Sequence, residues 1–172
     1  KLRALTAKDK ELTLKWNNQD DIKELYAGHP FPVNIEMETE WFEKITKSNF
    51  PITVFGIEIE ENNKLIGLSI LKNINLIHRK AEFAIFLGEK TERGKGYSKI
   101  ATLKTLNFGF NKLGLNRIYL YVQSKNKAAI KLYEKTGFKK EGEIRNSVFK
   151  NGSYLNEWIM GILKEEYHNN EL

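Results

Sequence analysis

Two glycines separated by one residue, Gly94 and Gly96, stand among basic side chains in the run 93–98. Glycine lets the chain turn tightly and lets a ligand approach the backbone without a Cβ in the way. If a helix begins directly after the turn, its first N–H groups lack acceptors and carry partial positive charge. Arg93 and Lys95 would add side-chain charge. The run predicts a phosphate or pyrophosphate site, although an ordinary strand-to-helix turn uses the same glycines.

A second group of chemically useful residues lies in the segment 122–138. Asn126 is placed to cap a short helix, Tyr133 lies near the end of that helix, and Gly137 is placed to end it. A phenol with a pKa near 10 stays protonated at neutral pH and can donate a proton to a leaving group. Tyr133 is therefore a candidate general acid, with a role as a core aromatic residue as the alternative.

The elements that must position these residues follow from the spacing of the apolar side chains. The pattern predicts a single domain over residues 1–172, an α/β sandwich with a mixed sheet. Strands are predicted at 2–5, 52–60, 64–71, 80–87, 117–122, 139–149 and 154–163. Helices are predicted from a cap at Thr6 or Asp9 through Trp16, at 22–26, at 38–48, at 96–113 and at 126–135, with a proline-containing loop at 28–32.

Composition narrows the classes of function. The chain has no cysteine, which excludes a disulfide, a thiolate metal site and a cysteine nucleophile. Its net charge of +6 is consistent with a lysine-rich surface, with binding of nucleic acid or with attraction of an anionic cofactor. The basic residues are scattered, which argues against nucleic acid. No apolar run reaches membrane-spanning length and the three histidines are dispersed, so we expect a cytoplasmic protein without a metal site.

Together, the two segments resemble the GNAT (GCN5-related N-acetyltransferase) family. The stretch 91–96 matches the family's Gln/Arg-x-x-Gly-x-Gly/Ala turn, with Thr91 in the first position, and the residues from Asn126 to Phe138 match its second motif. The resemblance implies a mixed, mostly antiparallel central sheet that is flanked by helices and splayed between its fourth and fifth strands. It also implies direct transfer of an acetyl group from acetyl-CoA to a primary amine in a ternary complex.

The resemblance assigns roles to individual residues. The main chain of the predicted central strand would bind the pantetheine arm, the turn would bind the pyrophosphate, Asn126 would contact the cofactor arm and Tyr133 would protonate the departing thiolate. Glu82 is the candidate base or amine-orienting group, with a solvent-facing charge or an ion pair to Arg79 as the alternative. The cofactor residues implied are Ile85, Phe86, Leu87, Arg93, Gly94, Lys95, Gly96, Tyr97, Ser98 and Asn126.

The sequence indicates the acceptor amine less clearly than the cofactor. The runs 74–83 and 149–154 resemble bacterial spermidine/spermine acetyltransferases, within a neighbourhood that includes ribosomal-protein alanine and amino-sugar-nucleotide acetyltransferases. The run 41–43 resembles the amino-sugar branch, and the region 27–32 lacks the acidic pair of the polyamine relatives. We expect a small-molecule amine, first a polyamine, without nucleic acid or membrane and with a homo-oligomer left open. A nucleotide-linked amino sugar, a protein N-terminus and a non-catalytic acyl-CoA sensor are the alternatives.

Overall fold

A computed structural model describes residues 1–25, 31–47 and 50–167 of the chain. Its strands are β1 Leu2–Arg3, β2 Thr53–Ile59, β3 Lys64–Asn75, β4 Lys80–Leu87, β5 Arg117–Gln123, β6 Lys139–Lys150 and β7 Ser153–Leu163. They form a seven-stranded sheet in the order β1-β2-β3-β4-β5-β7-β6. This is the mixed α/β architecture that the sequence predicts.

Helices cover both faces of the sheet. They are α1 Lys10–Asn17, α2 Asp20–Leu25, α3 Ile35–Lys47, α4 Tyr97–Asn107 and α5 Lys127–Lys135. Tyr26, Ser48 and the loop residues 28–30, for which the sequence also predicts structure, lie outside the described residues. No helix within the described ranges is long and apolar enough to cross a membrane.

Alternation of side chains divides the core into two layers. Phe83 of β4 belongs to a buried cluster with residues of α4 and α5, whereas Trp16 of α1 packs in a second cluster with residues of α3. Successive residues of a strand point to opposite faces, so the odd-numbered residues 81–87 of β4 are buried and the even-numbered ones are partly exposed. Glu82 therefore lies on the face opposite to Phe83.

The predicted splay between the fourth and fifth strands is confirmed. β4 and β5 form the parallel pair of the sheet, and their register ends after Lys80–Arg117, Ala81–Ile118 and Glu82–Tyr119. Beyond that point, β4 stays paired with β3 as far as Leu87, and β5 stays paired with β7 as far as Gln123. Each strand keeps its outer partner while the two inner edges separate, which opens a V-shaped cleft.

Several elements differ from their predicted limits: β1 ends at Arg3 rather than at residue 5, α2 begins at Asp20 rather than at residue 22, and three larger differences have local causes. Helix α3 begins at Ile35 rather than at residue 38, because the Asn34 side chain caps it by accepting from the N–H of Met37 at 2.8 Å. Strand β3 continues to Asn75, since pairing resumes there with Lys80 after a bulge. The predicted helix at 96–113 is α4 followed by a wider π-type turn, Phe108–Lys112.

Candidate active site

The parted ends of β4 and β5 border a cleft of about 960 Å³. It collects residues from both motifs of the sequence, which lie on opposite sides of the splay. The predicted site residues that line it are Glu82, Ile85, Phe86, Leu87, Arg93, Gly94, Gly96, Tyr97, Ser98, Asn126 and Tyr133. Lys95 does not line the cleft; its Nζ lies 2.9 Å from a carboxylate oxygen of Glu92.

The glycine turn presents bare backbone to this cleft. Gly94 and Gly96 have φ angles of +79° and +89°, in the left-handed region that glycine adopts readily. A Cβ added at either position would meet no heavy atom of the described residues within 4 Å. Gly96 immediately precedes α4, whose first N–H groups have no acceptor within the helix. The turn is therefore built to admit an anionic group close to the main chain.

Arg93 contributes to the cleft in a way that the sequence does not predict. Its Nε and Nη2 donate to the carbonyl of Leu87 at 3.0 and 2.8 Å, and its Nη1 lies 2.8 Å from the Asp21 carboxylate. The guanidinium thus braces the turn against the end of β4 and against α2. The Lys95 ammonium is likewise paired with Glu92. Since both basic side chains of the turn already have acidic partners, the N–H groups of the main chain are the donors that a bound anion would meet.

The Tyr133 side chain extends from α5 and packs against two aromatic rings. Its ring centroid lies 6.3 Å from that of Phe83 and 5.7 Å from that of Phe138, both in edge-to-face contact. The residue is 6% exposed, and burial raises the pKa of its phenol to about 12. The hydroxyl is therefore fully protonated at neutral pH, as a proton donor must be.

The helix that carries Tyr133 is held at both ends by local chemistry. Asn126 caps it, since its Oδ1 accepts from the N–H of Ala129 at 3.1 Å, which confirms the predicted cap. Gly137, with a φ of +97°, turns the chain so that the N–H of Phe138 donates to the carbonyl of Tyr133 at 3.0 Å. The position of the phenol is thereby set by a short, well-capped helix.

Glu82 lies on the other face of the sheet, at the last residue pair before the splay. Its carboxylate lies 2.9 Å from Nζ of Lys72 and accepts from Nδ2 of Asn73 at 3.0 Å. The ion pair of Glu82 is therefore with Lys72 and not with Arg79, the partner that the sequence suggests as an alternative. The Glu82 side chain is 12% exposed, so the carboxylate is partly buried yet still borders the cleft.

Comparison with known proteins shows which family has this arrangement. A family model described as an acetyltransferase (GNAT) domain matches residues 1–139. The chain belongs to the GNAT acetyltransferase family. The family that the sequence motifs indicate is thus confirmed, and the protein is an acetyl-CoA-dependent N-acetyltransferase.

Similar proteins match almost the whole length of this chain. A spermidine N(1)-acetyltransferase from Vibrio cholerae is 36% identical over 168 residues, which are 98% of this chain and 95% of that protein. The spermidine N(1)-acetyltransferase of Escherichia coli K12 is 30% identical, over 97% of this chain and 87% of that protein. A crystal structure of spermidine N-acetyltransferase from Vibrio cholerae in complex with CoA and spermine superposes with a TM-score of 0.90 at 34% identity, covering 97% and 96% of the two chains.

Acetyl-CoA is the cosubstrate, and the residues present fit it. A pyrophosphate requires donors that are not blocked by side chains, and the open space above Gly94 and Gly96 supplies that access. The cleft continues from this turn along β4 to Tyr133, as a long cofactor with a reactive end requires. The cleft can therefore accommodate both the pyrophosphate and the thioester end of acetyl-CoA.

Several residues that line the cleft are missing from the sequence prediction, and three of them lie on the face of Glu82. They are Tyr121, Gln123 and Glu157. The even-numbered residues 118–122 of β5 are buried, and this alternation was a signal that Tyr121 and Gln123 face the other way, toward the side of Glu82. Glu157 could not be found in this manner, because its place depends on the register that pairs it with Gln123 across β5 and β7.

Proposed function

We propose that this acetyltransferase acetylates a primary amine of a linear polyamine such as spermidine or spermine. The observation that carries the proposal is the similarity over nearly the full chain to spermidine acetyltransferases, together with the superposition on the complex with CoA and spermine. The cleft supports it, because two carboxylates, those of Glu82 and Glu157, border it on the face opposite to the proton donor.

The cofactor would lie along β4 and the glycine turn. The main chain of Ile85, Phe86 and Leu87 lines the cleft on the side of β4 and would bind the amides of the pantetheine arm. The N–H groups of the turn, from Gly94 to Ser98, would bind the pyrophosphate, with Arg93 holding the turn in place. Asn126, on the opposite side of the splay, would contact the arm while it caps α5. Bound acetyl-CoA supplies a thioester, whose carbonyl carbon is the electrophile.

The chain's own residues would then serve a direct transfer. The amine nitrogen forms the new bond to the carbonyl carbon, the bond from that carbon to sulfur breaks, and Tyr133 gives its phenolic proton to the departing sulfur. Glu82, held by Lys72, would orient the incoming amine or accept its proton through water. Since the chain has no cysteine, a thiol acyl-enzyme is excluded, and holding both substrates together supplies the orientation that catalysis needs.

A turnover screen tests the proposal directly. Release of the free thiol of CoA is followed with a thiol reagent, which gives no background from this cysteine-free protein. The acceptors are spermidine, spermine and putrescine, compared with a nucleotide-linked amino sugar, an aminoglycoside and ribosomal-protein N-terminal peptides. We expect turnover with the polyamines, and a monoacetylated product by mass spectrometry. Efficient turnover with the amino sugar or peptides alone would replace the polyamine, and cofactor binding without any turnover would favour a sensor.

Other expectations from the sequence stay predictions. They are the single domain over residues 1–172, the cytoplasmic location, the open question of a homo-oligomer and independence from nucleic acid. A cytoplasmic location would suit an enzyme whose cosubstrate is acetyl-CoA.

A further inference from the structure

Glu82 and Glu157, the two carboxylates that line the cleft among the described residues, differ in whether a cationic side chain balances their charge. Glu82 is paired with Lys72 at 2.9 Å. Glu157 accepts a hydrogen bond at 2.6 Å from Oγ of Ser147, and no lysine or arginine in the described part of the chain lies within 4 Å of its carboxylate. A carboxylate that borders a cleft and lacks a cationic partner has the capacity to bind a cation.

The pairing of β7 with its two neighbouring strands fixes the surroundings of Glu157. The register of β6 and β7 shifts between Ile144 and Val148, and this bulge brings Ser147 to the carboxylate. Across β5 and β7, Gln123 stands directly opposite Glu157. The Nε2 of Gln123 is buried and has no acceptor among the described residues. Both facing side chains therefore keep unused hydrogen-bonding capacity, which is unusual for polar groups beside a sheet unless a ligand meets them.

The location of Glu157 relative to Glu82 selects the kind of ligand. Glu82 is level with Tyr119, and Glu157 is level with Gln123, which is four residues further along β5. At roughly 3.3 Å per residue, the strand positions that carry the two carboxylates are about 13 Å apart. Since side chains stand roughly perpendicular to a sheet, one ammonium group does not reach both carboxylates. A linear amine with cationic groups at separate positions can place its reacting nitrogen near Glu82 and a remote ammonium near Glu157.

We propose that Glu157, oriented by Ser147 and assisted by Gln123, binds an ammonium group of the acceptor that is remote from the nitrogen acetylated, and so selects polycationic over monocationic amines. This inference rests on the proposed function. It assigns a specificity role to a residue that takes no part in the transfer itself. Loss of the carboxylate should therefore weaken acceptor binding without slowing the saturated enzyme.

Steady-state kinetics of Glu157→Gln test this proposal. For spermidine, KM should rise about 10- to 100-fold, the range expected for loss of a charge-assisted hydrogen bond. The kcat and the KM for acetyl-CoA should stay near the wild-type values. Hexylamine, which has no second ammonium, should give the same kcat/KM in both proteins. Glu61→Gln removes one negative charge from the exposed turn between β2 and β3 and serves as the matched control, with wild-type kinetics expected.

The outcomes separate this inference from the proposed function. If the wild type acetylates spermidine and Glu157→Gln has an unchanged KM, the role of Glu157 is wrong and the function stands. An equal loss for hexylamine, or an equal loss in Glu61→Gln, also overturns it, since neither depends on a remote ammonium. A wild type that acetylates no polyamine overturns both. Ser147→Ala, which keeps the carboxylate but removes its donor, should raise the KM for spermidine only a few-fold, because the hydroxyl orients the carboxylate and does not itself contact the ammonium.

Discussion

The two faces of the sheet surround the cleft with different side chains where β4 and β5 part. On one face, Tyr133 packs against the rings of Phe83 and Phe138 and is 6% exposed. On the other face, Glu82 pairs with Lys72, and Glu157 borders the same cleft. A single cleft thus joins the apolar surroundings of Tyr133, here the apolar face, to the carboxylates Glu82 and Glu157, here the charged face. Lysines of α4 and α5 also line the cleft beside the apolar face.

This difference suits opposite demands on the two substrates. A proton donor has to hold its proton until the leaving group needs it, and desolvation secures that by disfavouring the charged phenolate. A cationic amine has to be attracted and then held, which requires carboxylates that remain accessible to water-borne ligands. In the proposed mechanism, placing the two functions on separate faces would keep the carboxylates from the donor, while the splay would still let the reacting atoms meet.

The largest effect is expected on the apolar face. Tyr133→Phe removes the phenolic proton and keeps the ring that packs on Phe83 and Phe138. We expect kcat to fall roughly 10²- to 10⁴-fold, the usual contribution of a positioned proton donor, with little change in the affinity for acetyl-CoA. The measurement is kcat at saturating acetyl-CoA, alongside calorimetry of cofactor binding.

Tyr119→Phe is the matched control for that variant, because it removes a phenol from the charged face next to Glu82. It should leave kcat close to the wild-type value. A wild-type kcat in Tyr133→Phe would mean that water or another group protonates the sulfur. Equal losses in the two variants would show that the apolar face has no special role.

A pH titration of stability examines the same phenol without the reaction. Burial raises the pKa of Tyr133 from 10.0 to about 12 on folding. Its stabilising effect is fully present below pH 10 and is lost as the pH rises toward 12, because the unfolded chain ionises first. The total loss is about 2–3 kcal/mol, and roughly half should be reached by pH 11.

Urea unfolding of the wild type and Tyr133→Phe at pH 9, 10 and 11 measures this loss. Other tyrosines and the lysines titrate in both proteins, so their contributions cancel in the difference. The free energy of unfolding of the wild type should decline relative to that of the variant as the pH rises. A constant difference across this range would show that the phenol is solvated, and the contrast between the faces would then fail.

The cofactor side of the comparison is tested at the glycine turn. Gly94→Val places a side chain in the space beside the unpaired N–H groups at the start of α4. We expect the Kd for acetyl-CoA to rise about 10- to 100-fold, since bonds from these groups to the pyrophosphate are charge-assisted. Calorimetry of the folded variant measures this.

Gly114→Val separates ligand exclusion from backbone strain. Gly114 also has a positive φ, +65°, and a Cβ there also meets nothing within 4 Å among the described residues. Both valine variants therefore carry a similar strain of about 1–2 kcal/mol in stability. Only Gly94→Val should lose affinity for the cofactor. If both variants bind acetyl-CoA as the wild type does, the pyrophosphate lies elsewhere.

The sequence predicts the cofactor side better than the acceptor side, for a physical reason. The glycine turn and the cap of Asn126 are local features, in which the residue type and its near neighbours decide the backbone conformation. The splay was also implied by motifs confined to short segments, and the proposed role of Tyr133, which stays a prediction, rests on such a motif too. Even there, the partners of Arg93 were not predictable, because Asp21 is distant in the chain.

The acceptor side depends on contacts between strands. Glu82 meets Lys72 because β3 and β4 pair in a particular register, and Glu157 meets Ser147 because β6 carries a bulge. A shift of one residue in either register would send these side chains to the opposite face. Composition and periodicity predict that such strands exist but not which residues face each other, so Glu157 was missed.

The smallest expected effect concerns Glu82 and asks whether its ion pair is merely structural. Glu82→Gln removes the charge that lies 2.9 Å from Lys72, and Lys72→Met removes the partner. If Glu82 orients the amine, Glu82→Gln should lower kcat/KM for the acceptor about 10-fold, while Lys72→Met lowers it less, since the carboxylate is still present. If the pair only stabilises the strands, the two variants should have equal and small effects on kcat/KM, because the lysine of this pair is open to solvent and such a pair contributes up to about 1 kcal/mol to stability. The double variant completes the cycle: a loss equal to that of Glu82→Gln alone would show that Lys72 acts through the carboxylate. Equal kcat/KM in Glu82→Gln and the wild type would remove Glu82 from the proposed binding of the amine and leave Glu157 as the remaining carboxylate that lines the cleft among the described residues.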